Sequence, residues 1–168
     1  MKAIRFHGDT VVTGPGSLSH LQTLSYERAM VVTGGLSMFD TGVIDQVLKL
    51  LAHGGGQAEV YSGIGKNPTT EDVEKGTARF REWRPDLVVA VGGGSPIDAA
   101  KAMTLLYEFP SLKAEELADT PLPSRRRKTT FVAVPSTSGT ATEVTHISVL
   151  TFLKQGIKRG VKAESLRP

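Results

Sequence analysis

Short apolar, β-branched runs alternate along this chain with stretches whose apolar positions recur every three or four residues. The run AMVVT at 29–33 is apolar without a break, as expected of a strand covered on both faces. Residues 87–91 (LVVAV) and 130–134 (TFVAV) read as further strands, and 58–61 as a shorter one. Between these runs the period changes. Val43, Ile44, Val47, Leu48 and Leu51 mark an amphipathic helix closed by Gly54, Gly55 and Gly56. Thr70, Val73, Thr77 and Phe80 mark a second helix, which must end before Pro85. A third runs over 96–107. At the N-terminus, 3–6 and 11–13 flank His7, Gly8, Asp9 and Thr10 and predict a hairpin, followed by a short helix from the Gly14-Pro15-Gly16-Ser17 turn to Leu24. Residues 144–152 alternate loosely and are expected to pair with a partner near 157–161.

Strands that alternate with helices at this length predict an α/β fold. The expected architecture is a Rossmann-like parallel sheet with helices on both faces, preceded by the N-terminal β-hairpin. A chain of 168 residues suits one sizeable domain, so 1–168 is read as a single unit. The longest irregular segment, 110–128, carries a short Glu-rich stretch and then PLPSRRRK, and reads as a surface excursion.

Composition narrows the chemistry. The chain has no cysteine, which excludes disulfides, thiolate metal sites and cysteine nucleophiles. No N-terminal apolar core resembles a signal peptide, and no apolar run approaches the ~20 residues that span a bilayer, so a cytoplasmic protein is expected. The net charge of +3 is too mild to argue for nucleic acid. Arg125, Arg126, Arg127 and Lys128 form one basic run, best read as an exposed loop before a strand. Trp83 reads as packing at a helix end, and no Ser/His/Asp arrangement fits hydrolysis.

The candidate chemistry lies in 88–101, VVAVGGGSPIDAAK. Gly92, Gly93 and Gly94 follow a buried strand, where backbone without Cβ atoms can approach a charged oxygen and present N–H groups to it. The helix that follows aims its N-terminus at the same point. Ser95 is expected to cap that helix, with Pro96 at its first position and Asp98 as the capping-box partner. The pattern is neither GxGxxG nor a P-loop, which argues against an ATPase. One strand further on, Pro135-Ser136-Thr137-Ser138-Gly139-Thr140-Ala141-Thr142-Glu143 offers several hydroxyls to phosphate or ribose. Glu143 reads as a buried hydrogen-bond partner that shapes its own loop rather than as a base.

These residues carry a resemblance. VGGGSPIDAAK at 91–101 resembles the GGGSxxDxxK signature of the iron-dependent (group III) alcohol dehydrogenases, and PSTSGTATEV at 135–144 is similar to that family's PTTAGTGSEV segment. Gly65-Lys66-Asn67-Pro68-Thr69 resembles its N-P-T turn, and Val31-Val32-Thr33-Gly34 its first long strand. The likeness runs in order along essentially the whole chain.

The resemblance implies the dehydroquinate synthase-like N-terminal domain that binds NAD or NADP, with a helical domain supplying a divalent metal, Fe or Zn, and the substrate between them. It implies that Gly93, Gly94 and Ser95 meet the pyrophosphate, and that Thr137, Ser138, Thr140 and Thr142 help hold the nucleotide. Asp98 and Asn67 would face the nicotinamide side, and Lys158, in IKRGVK, matches a lysine near the cofactor. The implied reaction is hydride transfer between a primary alcohol or aldehyde and nicotinamide, in a homo-oligomer that involves neither nucleic acid nor membrane.

Two departures qualify this. Where the family usually carries an Asp that faces the adenosine ribose, this chain has Gly34. Loss of that carboxylate removes repulsion against a 2′-phosphate, but no Arg or Lys in the adjoining sequence is placed to meet one, so the tilt toward NADP is modest. The family's metal ligands, an Asp and three His, have no match here. His7, His20, His53 and His146 read as surface or packing residues, and residues 165–168 resemble the segment just before the helical domain. The alternatives are a non-catalytic nucleotide-binding or assembly module, or a glycerol dehydrogenase-like or dehydroquinate synthase-like relative. Ser95 and the 135–143 loop favour the alcohol dehydrogenase branch.

Overall fold

In the computed structural model, which describes every residue except His7 and Gly8 and only the backbone of Asp9, the chain opens on an antiparallel hairpin. Its strands are β1 (Lys2–Phe6) and β2 (Asp9–Thr13); the expected turn residues His7 and Gly8 lie outside the described residues. The expected helix after Gly16 is a run of 3-10 turns, Ser17–Thr23.

The centre is a four-stranded parallel sheet of β3 (Arg28–Thr33), β4 (Gln57–Tyr61), β5 (Leu87–Gly92) and β6 (Thr130–Pro135), in the order β4-β3-β5-β6. Both central strands are apolar on both faces because both faces are covered. Met30, Val32, Val88 and Ala90 point into one core, while Ala29, Val31, Val89 and Val91 point into the other. The first core is roofed by α3 (Thr70–Trp83) and α4 (Gly94–Glu108), the second by α2 (Val43–Leu51) and the 3-10 segment. A four-residue helix, α1 (Ser37–Asp40), precedes α2; its sequence has no apolar period by which to find it.

Local chemistry sets the helix ends. Thr69 caps α3 in a reciprocal box with Asp72: the Asp72 N–H donates to Thr69 Oγ1 at 3.1 Å, and the Thr69 N–H donates to Asp72 Oδ2 at 2.9 Å. Arg84 ends the helix in the left-handed region at φ 56°, just before Pro85. Trp83 packs as expected and donates from Nε1 to the Ala29 carbonyl at 3.0 Å.

The basic run is folded back rather than free. The backbone N–H groups of Arg127, Lys128 and Thr129 converge on the Glu108 carboxylate at the end of α4. Arg127 and Lys128 lie over the Phe109 and Tyr107 rings at 4.8 and 4.0 Å. The last strands, β7 (Ile147–Phe152) and β8 (Ile157–Lys162), pair antiparallel, and β7 packs on α4. Among the described residues no helix is long and apolar enough to cross a membrane.

Candidate functional site

The parallel register brings the carboxyl ends of three strands to one edge of the sheet. Thr33 lies opposite Val91, and Gly92 opposite Pro135, so Gly34, the triple glycine and the hydroxyl loop leave the sheet side by side. Such an edge, where loops diverge between strands, is where open α/β sheets bind ligands.

The glycine turn is shaped by necessity. Gly92 sits at φ 139°, and a Cβ there would lie 2.7 Å from Pro96 Cγ. Gly93 then extends and α4 begins at Gly94. This corrects the capping expectation: Ser95 lies inside the first turn, Gly93 is the N-cap, and no side chain caps the helix. The early start follows from Gly93, whose backbone makes the turn three residues before Pro96. Among the described residues the first N–H groups of α4 therefore have no side-chain acceptor, which suits an anion better than a capped end would.

The hydroxyl loop folds over this turn. A Cβ on Gly93 would come within 3.4 Å of Thr137 Oγ1, and one on Gly94 within 3.2 Å of Thr140 Oγ1. Thr137 and Thr140 thus share one cradle with Gly93, Gly94 and the start of α4. Ser138 is exposed beside them. The Ser136 N–H donates to the Gly92 carbonyl at 2.8 Å and ties the two loops at their base.

Thr142 and Asp98 are brought together, but below the cradle. Asp98 is 6 % exposed and accepts from the Thr142 hydroxyl at 3.3 Å. Its pKa is raised to about 6 by burial, against the opposing pull of the Val149 backbone N–H, the Lys101 charge and the Thr142 hydroxyl. Instead of completing a capping box, it packs against β7, where the Ser148 hydroxyl donates to the Asp98 carbonyl at 2.8 Å.

Asn67 and Lys158, ninety-one positions apart, meet at the rim: Lys158 Nζ donates to Asn67 Oδ1 at 2.7 Å. Asn67 is left-handed at φ 57°, and the Thr151 N–H holds the turn by donating to the Pro68 carbonyl at 2.9 Å. Gly63 and Ile64 donate to the carbonyls of Gly34 and Thr33 at 2.8 and 3.4 Å. Lys66, next to Asn67 in the chain, is exposed and has no hydrogen bond or ion pair among the described residues.

Sequence reasoning missed Lys101 as a structural actor. It is 1 % exposed, and its Nζ donates to the carbonyls of Thr142, Thr145 and Ile147 at 2.6, 2.7 and 3.0 Å. Burial lowers its pKa to about 8. The DxxK spacing was the available signal, since it puts Asp98 and Lys101 about one turn apart on one helix. Glu143 departs from expectation: its Oε2 is buried without a partner, so it does not shape its loop by that atom. Among the described residues, no three His, Asp or Glu side chains gather to hold a metal ion.

A doubly covered parallel sheet with glycine and hydroxyl loops at its carboxyl edge defines a Rossmann-like α/β protein. Residues 9–168 match the family model for iron-containing alcohol dehydrogenase, and the chain belongs to that family. It is 46% identical over 146 residues to the NADPH-dependent butanol dehydrogenase of Clostridium saccharobutylicum, covering 86% of this chain and 38% of that protein. The iron-containing alcohol dehydrogenase of Thermococcus thioreducens superposes with a TM-score of 0.83 at 34% identity, over 92% of this chain and 42% of that one. The NADH-dependent butanol dehydrogenase A of Thermotoga maritima superposes at 0.82 with 25% identity, over 92% and 39%. The chain therefore spans about two-fifths of the length of these relatives.

Proposed function

We propose that this chain is the nicotinamide-dinucleotide-binding domain, residues 1–168, of an alcohol dehydrogenase that moves hydride between a primary alcohol or aldehyde and the nicotinamide. The observation that carries this reading is the cradle of an uncapped α4 N-terminus, Gly93 and Gly94 without Cβ atoms, and the Thr137 and Thr140 hydroxyls above them. That set fits a pyrophosphate: backbone N–H groups and hydroxyls converge where a Cβ would fill the space. Ser95 and Ser138 add hydroxyls at its border. Asn67 and Lys158 form the nicotinamide-side rim, and Asp98 and Thr142 support the cradle from beneath. When bound, the nicotinamide supplies the hydride acceptor or donor.

NADP is the favoured form. Gly34 carries no carboxylate to repel a 2′-phosphate. Its relatives include enzymes named for each cofactor, NADPH in Clostridium saccharobutylicum and NADH in Thermotoga maritima.

Fluorescence titration with NADPH and NADH tests both points. Binding of both is expected, tighter for NADPH. No binding of either at millimolar concentration overturns the cofactor reading, and equal or reversed affinities overturn the preference.

A second reading, binding without turnover by this chain, is favoured by the lack of a converging metal-ligand set among the described residues. Oxidation of a primary alcohol by the chain with added Fe(II) or Zn(II) would sink it.

A further inference from the structure

Lys101 follows the glycine turn on α4 by about two helical turns, and its ammonium is buried. A lysine ammonium has three protons, and three backbone carbonyls receive them: Thr142 at 2.6 Å, Thr145 at 2.7 Å and Ile147 at 3.0 Å. Those carbonyls cover the exit of the hydroxyl loop and its entry into β7. Among the described residues no carboxylate oxygen bonds to Nζ, although the charges of Asp98 and Glu143 act on it. Packing alone does not call for this residue, since a buried apolar side chain of similar length would avoid desolvating a charge. What the ammonium adds is a three-point hold on the backbone.

The loop has few other holds. Residues 135–141 are exposed, and the loop is tied at its start by the Ser136 bond to Gly92. Its end is tied at Thr142, whose hydroxyl goes to Asp98 and whose carbonyl goes to Lys101. Between these ties stand Thr137 and Thr140, the hydroxyls over Gly93 and Gly94.

We infer that Lys101 is a positioning residue for the dinucleotide: its ammonium clamps the backbone of 142–147 and so holds the Thr137 and Thr140 hydroxyls over the glycine cradle, without itself touching the cofactor. The part about the dinucleotide rests on the proposed function; the clamp does not, and the two are tested separately.

The clamp is read in the absence of any nucleotide, by amide hydrogen exchange. Lys101→Met should speed exchange in 136–147 by about tenfold or more while α3 amides keep their protection. In the cofactor arm, the same variant should weaken NADPH and NADH alike by about tenfold, because both carry the pyrophosphate the cradle serves. Lys101→Gln, which keeps a neutral donor, should fall between and serves as the readable variant if the Met form does not fold.

The absence of cysteine from the chain supplies the decisive control. Lys101→Cys, alkylated with 2-bromoethylamine in denaturant and refolded, rebuilds an ammonium at nearly the same reach. Restored loop protection and restored affinity are expected, whereas a residue needed only to fill space would gain nothing from the charge. Unchanged loop exchange in folded Met or Gln variants, or no rescue by the rebuilt ammonium, overturns the clamp. If the unaltered chain binds neither nucleotide while the loop still loosens, the cofactor reading fails and the clamp stands.

Discussion

Two loops leave the same edge of the sheet, and they are held in place by opposite means. The glycine turn at 92–94 is fixed by packing: β5 beneath it is buried throughout, and α4 is buried at every position from Pro96 to Glu108. The hydroxyl loop at 135–141 is exposed along its length and is held at its two ends by polar contacts, Ser136 to Gly92 and Thr142 to Asp98 and Lys101. A phosphate cradle needs both properties. Its backbone donors must stand where they are before the ligand arrives, and its hydroxyls must be free to turn toward it. The difference predicts that changes in the turn act on the whole fold, whereas changes in the loop act on affinity.

The largest break should come at Gly92. Its φ of 139° is one that side chains rarely adopt, and a Cβ would stand 2.7 Å from Cγ of the rigid Pro96 ring. Strain and overlap together should make Gly92→Ala cost about 2–6 kcal/mol of stability. Urea unfolding measures it. A loss below about 0.5 kcal/mol would mean that the turn is not held by packing as described.

Asp98 lies where the two loops meet, and its titration reports on that junction. Its folded pKa, about 6, stands above the ordinary carboxylate value of 3.8. The folded state therefore holds this proton more tightly than the unfolded one. Its contribution is fully present below the unfolded value and is lost as pH rises through about 6. Between pH ~4 and ~7.5 the unaltered chain should lose up to about 3 kcal/mol more than Asp98→Asn, which keeps an acceptor for Thr142 but carries no proton to lose. Paired urea titrations at the two pH values read the difference directly. Parallel pH curves would show that the junction does not bury an ionisable carboxyl.

How much of this was legible in the sequence follows from what each region depends on. The doubly covered strands were visible because 29–33 and 87–91 are apolar without a break, and α2 because its apolar positions keep a helical period. The start of α4 was misplaced because Ser95-Pro96 has the local form of a cap, whereas Gly93 makes the turn earlier and leaves no side-chain cap. The bonds of Gly63 and Ile64 to the Gly34 and Thr33 carbonyls were not legible in the sequence, since they join the ends of two strands that are distant along the chain. The Asn67–Lys158 contact and the three carbonyls around Lys101 are likewise long-range, and no local pattern encodes a backbone acceptor forty positions away.

Lys158 should give the smallest effect on the fold and so the sharpest view of the loop side of the comparison. Its ammonium is exposed and has one described hydrogen-bond partner, Asn67 Oδ1 at 2.7 Å. An exposed contact of this kind contributes about 0–1 kcal/mol, so Lys158→Ala should leave the unfolding midpoint almost unmoved. Affinity should respond more, because a cation at the rim of an anion cradle acts on the ligand as well as on its neighbour. A weakening of NADPH by about three- to tenfold is expected, shrinking as salt is added. Asn67→Ala separates the two roles. If Lys158 serves only to peg the 67–68 turn, removing either partner should weaken binding equally and with little salt dependence. If the charge itself reaches the nucleotide, Lys158→Ala should cost more than Asn67→Ala, and only the lysine variant should lose its sensitivity to salt.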